Sequence, residues 1–206
     1  DQMEPVEFTD THCECGMKEN EALFIFCVKS AYEGSHLTHN VSSKNHYINI
    51  LDKKAVRRFL DVCYEPIIRD VPEAYKNACA VFTDEPSLQT PYIQGDEVWP
   101  YALAPWAEGL FEAFEEEYGY SLLPYLPMIF EGRSSSYTVR VHFYQLIGKL
   151  IAGNYVKQIS DWCEEHGTCF SGHYLAEESL RAHVLYYGSY LEVLRAAGYP
   201  GVDVLA

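Results

Sequence analysis

The hydrophobic pattern changes period several times along the chain. Ala22-Leu-Phe-Ile-Phe-Cys-Val28 is a short unbroken apolar run, which predicts a strand buried on both faces, and a polar loop rich in Ser, His and Asn follows over 33–45. Over 53–65 the spacing lengthens. Val56, Phe59, Leu60 and Cys63 recur three and four apart, predicting an amphipathic helix with Asp52 as its N-cap. Residues 78–83 form a second apolar run, stopped by Asp84-Glu85-Pro86 because proline cannot donate to a strand ladder. Five prolines then break up the aromatic-rich insertion over 87–137, within which 106–118 reads as a helix closed by Gly119. The clearest element is 138–166. Val139, Phe143, Leu146, Ile147, Leu150, Ile151, Ile159, Trp162 and Cys163 line one helical face there, and Gly167 ends it. A third strand over 168–175, a helix over 179–197 and a fourth strand over 202–205 complete the reading.

Strands alternating with helices define an α/β class built from βαβ units on a parallel sheet. A doubly wound sheet and a (β/α)8 barrel share that order. No Gly-x-Gly-x-x-Gly follows a strand and no Walker loop is present, so no cofactor is expected. Acids and an imidazole stand at the strand ends instead: Glu85 after the second, His173 to Glu178 after the third, and Asp203 in the fourth. Barrel enzymes keep their chemistry at that end of the strands. Four strands are half of a barrel, so the expectation is a partial TIM barrel: a single segment, 1–206, cut from a longer chain and inactive in isolation.

Composition narrows the function classes. The 206 residues carry 30 Asp plus Glu against 15 Lys plus Arg, a net charge of −15, which argues against nucleic acid as a partner. At 48% hydrophobic and 15% aromatic the chain is too apolar for disorder, and no run is long enough to span a membrane. Seven scattered cysteines are an odd number without framework spacing, and we read them as reduced thiols of a cytoplasmic protein. His12-Cys13-Glu14-Cys15 offers soft ligands, but Cys-x-Cys lacks the gap of a zinc knuckle and no second pair follows, so no metal is assigned.

Several blocks, in this order, resemble bacterial glycoside hydrolases related to family 106, the α-L-rhamnosidase type. They are Asn49-Ile-Leu-Asp52 leading into Ala55-Val-Arg-Arg-Phe59, Val81-Phe-Thr-Asp-Glu-Pro86, Phe114-Glu-Glu-Glu-Tyr-Gly-Tyr120 and Leu122-Leu-Pro-Tyr-Leu-Pro127. Trp162-Cys-Glu-Glu-His-Gly167, Ser171-Gly-His-Tyr-Leu-Ala-Glu177 and Pro200-Gly-Val-Asp203 complete the likeness, which runs from about residue 46. The resemblance implies the middle portion of a (β/α)8 catalytic domain that acts on a carbohydrate by carboxylate acid/base chemistry. It does not identify the sugar.

Glycoside cleavage needs one carboxylic acid to protonate the leaving oxygen and one carboxylate to act on the anomeric carbon or a water. Glu85 is the candidate acid, with Asp84 either biasing it by like charge or capping the turn. Glu177 is the candidate second carboxylate, with Glu178 next. Extended backbone puts His173, Leu175 and Glu177 on one face; alternatively the two glutamates open the following helix. His173 is expected to bond a sugar hydroxyl or orient a carboxylate. Tyr92, Trp99, Tyr101 and Trp106 offer stacking faces for a sugar rim, or else a satellite cluster under a long loop. Asp203 lines the mouth or binds backbone amides. Two alternatives stand beside the hydrolase: a non-catalytic carbohydrate-binding relative, and a metal-dependent hydrolase drawing on His12, His36, His39, His46 or His173. The expected partners are a carbohydrate substrate and either the remainder of the parent chain or a second copy covering the strand edges.

Overall fold

The computed structural model describes residue 6 and residues 15–28, 47–88, 90–93, 102–130 and 134–204. These form a mixed α/β structure whose sheet has three parallel strands in the order β1-β2-β3, with β1 Val81–Asp84, β2 Phe170–His173 and β3 Tyr199–Pro200.

The described helices precede β1 and join the strands. Helix α1 (Lys53–Phe59) begins where expected, because the Asp52 carboxylate accepts the Lys54 N–H at 2.8 Å. It passes through a π turn at Leu60–Tyr64 into α2 (Glu65–Asp70), and α3 (Pro72–Lys76) leads to β1. Helices α4 (Thr90–Ile93), α5 (Leu110–Tyr118) and α6 (Pro127–Phe130) occupy the insertion. α5 starts later than the sequence suggests, after the left-handed Gly109, and ends at Gly119, also left-handed, as its C-terminal stop requires.

The long helix over 138–166 is interrupted. α7 (Tyr137–Leu150) gives way to a π-helical stretch, Ile151–Lys157, before α8 (Gln158–Glu165) resumes. The π stretch changes the phase of the apolar face, so that Tyr155 and Val156 are buried between the two α-helical stretches. The expected single helix after β2 is two, α9 (Leu180–Tyr187) and α10 (Tyr190–Arg195). They part at Gly188, whose φ is 68° and where a Cβ would meet the Tyr144 carbonyl oxygen at 2.2 Å.

Two expected strands are corrected. The run Ala22–Val28 is exposed throughout and joins no ladder; its Phe26 ring stacks on Phe130 with centroids 5.8 Å apart. An apolar run becomes a strand only where a neighbour takes up its backbone groups, and none does so among the described residues. At the other end β3 is Tyr199–Pro200, while Val202–Val204 lies beyond it and is exposed.

Among the described residues, one face of the sheet is covered. Thr83, Phe170 and Gly172 are buried, and the Thr83 hydroxyl meets the Tyr155 hydroxyl at 3.2 Å. The opposite face carries Phe82, Asp84, Ser171, His173 and Tyr199, and the described residues leave Phe82 61% and Tyr199 67% exposed. No helix among the described residues is long and apolar enough to cross a membrane, and the described cysteines are free thiols.

Candidate active site

The carboxyl ends of β1 and β2 bring together four of the predicted residues. Asp84 and His173 are register partners on adjacent strands. Partners in register share a face, so the ring and the carboxylate meet directly: His173 Nε2 stands 3.0 Å from Asp84 Oδ1. A carboxylate only accepts, so Nε2 carries a proton and donates it in a hydrogen bond to Asp84, which leaves Nδ1 on the other side of the ring. This answers what Asp84 does. It binds the imidazole, from a largely exposed position (71%).

Glu85 is the next residue, and strict alternation would send it to the helix-covered face. Its φ of 49° breaks the alternation. A non-glycine residue in left-handed backbone marks a position that its surroundings must hold. The Glu85 N–H donates to the His173 carbonyl at 3.2 Å, and the side chain returns to the imidazole, with Oε1 3.9 Å from Nδ1. That side chain is 14% exposed.

Glu177 arrives by neither of the two expected routes. β2 stops at His173 and α9 starts at Leu180, with Ser179 as its N-cap, so Glu177 belongs to the turn between them. That turn bends the chain back, and Glu177 Oε1 stands 3.3 Å from His173 Nδ1 with the side chain 10% exposed. The same oxygen accepts the Asp203 backbone N–H at 2.9 Å. Asp203 therefore contributes its amide rather than the strand-borne carboxylate expected of it, and it lies past β3 rather than within a strand. Glu178 shares the turn and is exposed.

One imidazole nitrogen thus faces both candidate catalytic glutamates. Their Oε1 atoms are no farther apart than 3.9 Å and 3.3 Å laid end to end. This lies inside the ~9.5 Å upper limit for a glycosidase carboxyl pair. Asp84, Glu85 and His173 also offer one ligand atom each within 4.8 Å of one another. Two carboxylates and an imidazole suit a divalent cation of hard or borderline character.

The aromatic rim receives less. Trp106 is exposed ahead of α5, with its carbonyl held by Asn49 Nδ2 at 3.1 Å, and no described contact joins it to His173 or Glu177. Trp99 and Tyr101, the side chain of Tyr92, and His12, His36, His39 and His46 lie outside the described residues, as does Cys13. The aromatic groups that do border the site are Phe82 of β1, whose ring lies 5.9 Å from that of His173, and residues of α9 and α10. His183 Nε2 meets the Glu177 carbonyl at 2.9 Å and its ring stacks on Tyr190. Burial, and secondarily the Glu177 charge, pushes the Tyr190 hydroxyl up to about 12. Neither residue stands out in the sequence, where both read as ordinary positions of an amphipathic helix. No protein-family model and no curated protein matches this chain.

Proposed function

We propose that the chain is the middle part of a glycoside hydrolase catalytic domain, with Glu85 as the proton donor and Glu177 as the carboxylate that activates water or takes the anomeric carbon. One observation carries this reading: two glutamates from different strand ends, each largely shielded from solvent, converge on a single nitrogen of His173. Two carboxyl groups brought together below the upper limit for a glycosidase pair are what bond protonation on one side of a sugar and attack on the other require. The amide of Asp203 fixes the lone pairs of Glu177 Oε1, which suits the attacking or water-activating member of the pair. Asp84, behind the ring, keeps the imidazole oriented between them.

The barrel form of the fold belongs to the same proposal. Parallel strands in chain order, chemistry at their carboxyl ends, helices on one face and a bare opposite face are consistent with a section of barrel wall. The resemblance to family 106-related enzymes, carried by the blocks around Glu85, Glu177 and Asp203, is part of the same proposal. The test is turnover of a panel of aryl glycosides by the open reading frame that carries this segment, compared with Glu177→Gln. Loss of turnover in the variant is expected; wild-type rates in Glu177→Gln would remove the assignment.

A second reading, a metal-dependent hydrolase, is favoured by the clustering of ligand atoms from Asp84, Glu85 and His173. Metal analysis of the purified protein, with activity before and after chelation, separates the two. Turnover that chelation leaves untouched supports the carboxylate mechanism alone.

A further inference from the structure

We infer that His183 is a positioning residue for Glu177, acting on the main chain of the turn and not on the reacting atoms. The inference rests on the reading of Glu177 as the second carboxylate. Glu177 sits on neither strand nor helix, so its backbone has no ladder to hold it. Its neighbour Ala176 has φ of 63°, a left-handed conformation that is unfavourable for an L-residue. A strained turn keeps its shape only where its surroundings over-determine it.

The contacts from α9 and α10 do that. A carbonyl oxygen only accepts, so the 2.9 Å contact fixes the proton of His183 on Nε2, donated to the Glu177 carbonyl. The ring plane is fixed in turn by Tyr190, which is buried and stacks on it with centroids 4.1 Å apart and planes 14° from parallel. The helix that carries His183 is fixed at its start, where Ser179 Oγ accepts the Ala182 N–H at 3.3 Å. Two residues before Glu177, the Leu175 N–H donates to the hydroxyl of the fully buried Tyr187 at 2.6 Å.

His183 therefore anchors the backbone of the residue whose carboxylate is anchored by the Asp203 amide. Both anchors have to be in register for Oε1 to stand 3.3 Å from His173 Nδ1. Removing the backbone anchor lets the turn relax and swings the carboxylate away. A displacement of about 1 Å at a reacting group costs about 10²-fold in rate.

The test uses three substitutions. His183→Phe keeps an aromatic ring against Tyr190 and loses the donor, His183→Gln places an amide N–H at the reach of Nε2, and His183→Asn places it at the reach of Nδ1. The first readout needs no turnover: the Asp203 amide in a 15N-labelled chain, whose proton shift and exchange rate follow its bond to Glu177. The signal is expected to move upfield and exchange faster in the Phe and Asn variants and to return toward wild type in Gln. The second readout is kinetic. In the Phe variant kcat is expected to fall about 10²-fold with KM little changed, and Gln is expected to recover most of it. An Asp203 amide identical in wild type and Phe, or identical in Gln and Asn where Phe does not fold, overturns the inference. If the amide follows residue 183 while Glu177→Gln turns over at wild-type rate, the positioning role stands and the glycosidase reading fails.

Discussion

Gly172 is where fold and site can be separated from side-chain chemistry by one methyl group. It lies in the central strand, paired with Thr83 on one side and Pro200 on the other, and its φ is 150°. A Cβ there would stand 2.2 Å from the Thr83 carbonyl oxygen and 2.5 Å from Thr83 Cγ2. The nearer atom is backbone, so no rotamer change relieves the overlap. A side chain in sparsely populated backbone costs about 1–3 kcal/mol. Overpacking a filled site costs about 1–3 kcal/mol more. Gly172→Ala is therefore expected to lose about 2–6 kcal/mol, a large share of the ~5–15 kcal/mol that holds a domain together. The overlap pushes β1 from β2, and since Asp84 and His173 are register partners across that pair, it also opens the site. Urea unfolding followed by the fluorescence of Trp162, which is buried, gives the difference directly. A Gly172→Ala unfolding free energy within about 0.5 kcal/mol of wild type, the range of an indifferent surface change, would show that the strand pair accommodates the methyl without strain.

Three other predictions concern stability, pH and thiol accessibility. Asp52→Ala removes the carboxylate that accepts the Lys54 N–H and is expected to cost about 1 kcal/mol in urea unfolding, with Asp52→Asn recovering most of it. Burial pushes the Cys163 thiol from 9.0 up to about 12, so the folded chain keeps a proton that the unfolded chain releases. Its contribution is complete below pH 9 and is lost as pH rises toward 12, so Cys163→Ala should flatten the decline of the urea midpoint above pH 9. Alkylation should reach the exposed Cys63 and Cys79 in the native state and Cys163 only on unfolding.

The sequence yields those features that depend on neighbours in the chain. Asp52 caps its helix and Gly119 and Gly167 adopt positive φ, because caps and stops are local chemistry. The strand end bearing Asp84 and Glu85 follows from a short apolar run meeting a terminator, whereas β2 ends at His173, two residues short of the expected 175, with no terminator to mark it. The apolar run at Ala22–Val28 misleads for the complementary reason: composition marks a candidate strand, and pairing makes one. The π turns are illegible because a phase shift of the apolar face leaves no residue signature of its own. At the site, the link between His173 and Glu177 is partly visible in their spacing, whereas the strained turn between them is not. Asp203 shows the deepest limit, since it acts through its backbone N–H while sequence reading weighs side chains.

The proposed proton-donor role of Glu85 is tested by the leaving-group dependence of Glu85→Gln, measured as kcat/KM over glycosides whose leaving groups range from alkyl alcohols to activated phenols. A general acid contributes about 10²–10⁴-fold where protonation is needed. A loss of that size is expected for Glu85→Gln on the poor leaving groups, with near-wild-type rates on the activated phenols, while Glu177→Gln depresses both alike. Equal rates for Glu85→Gln and wild type across the whole series would contradict it.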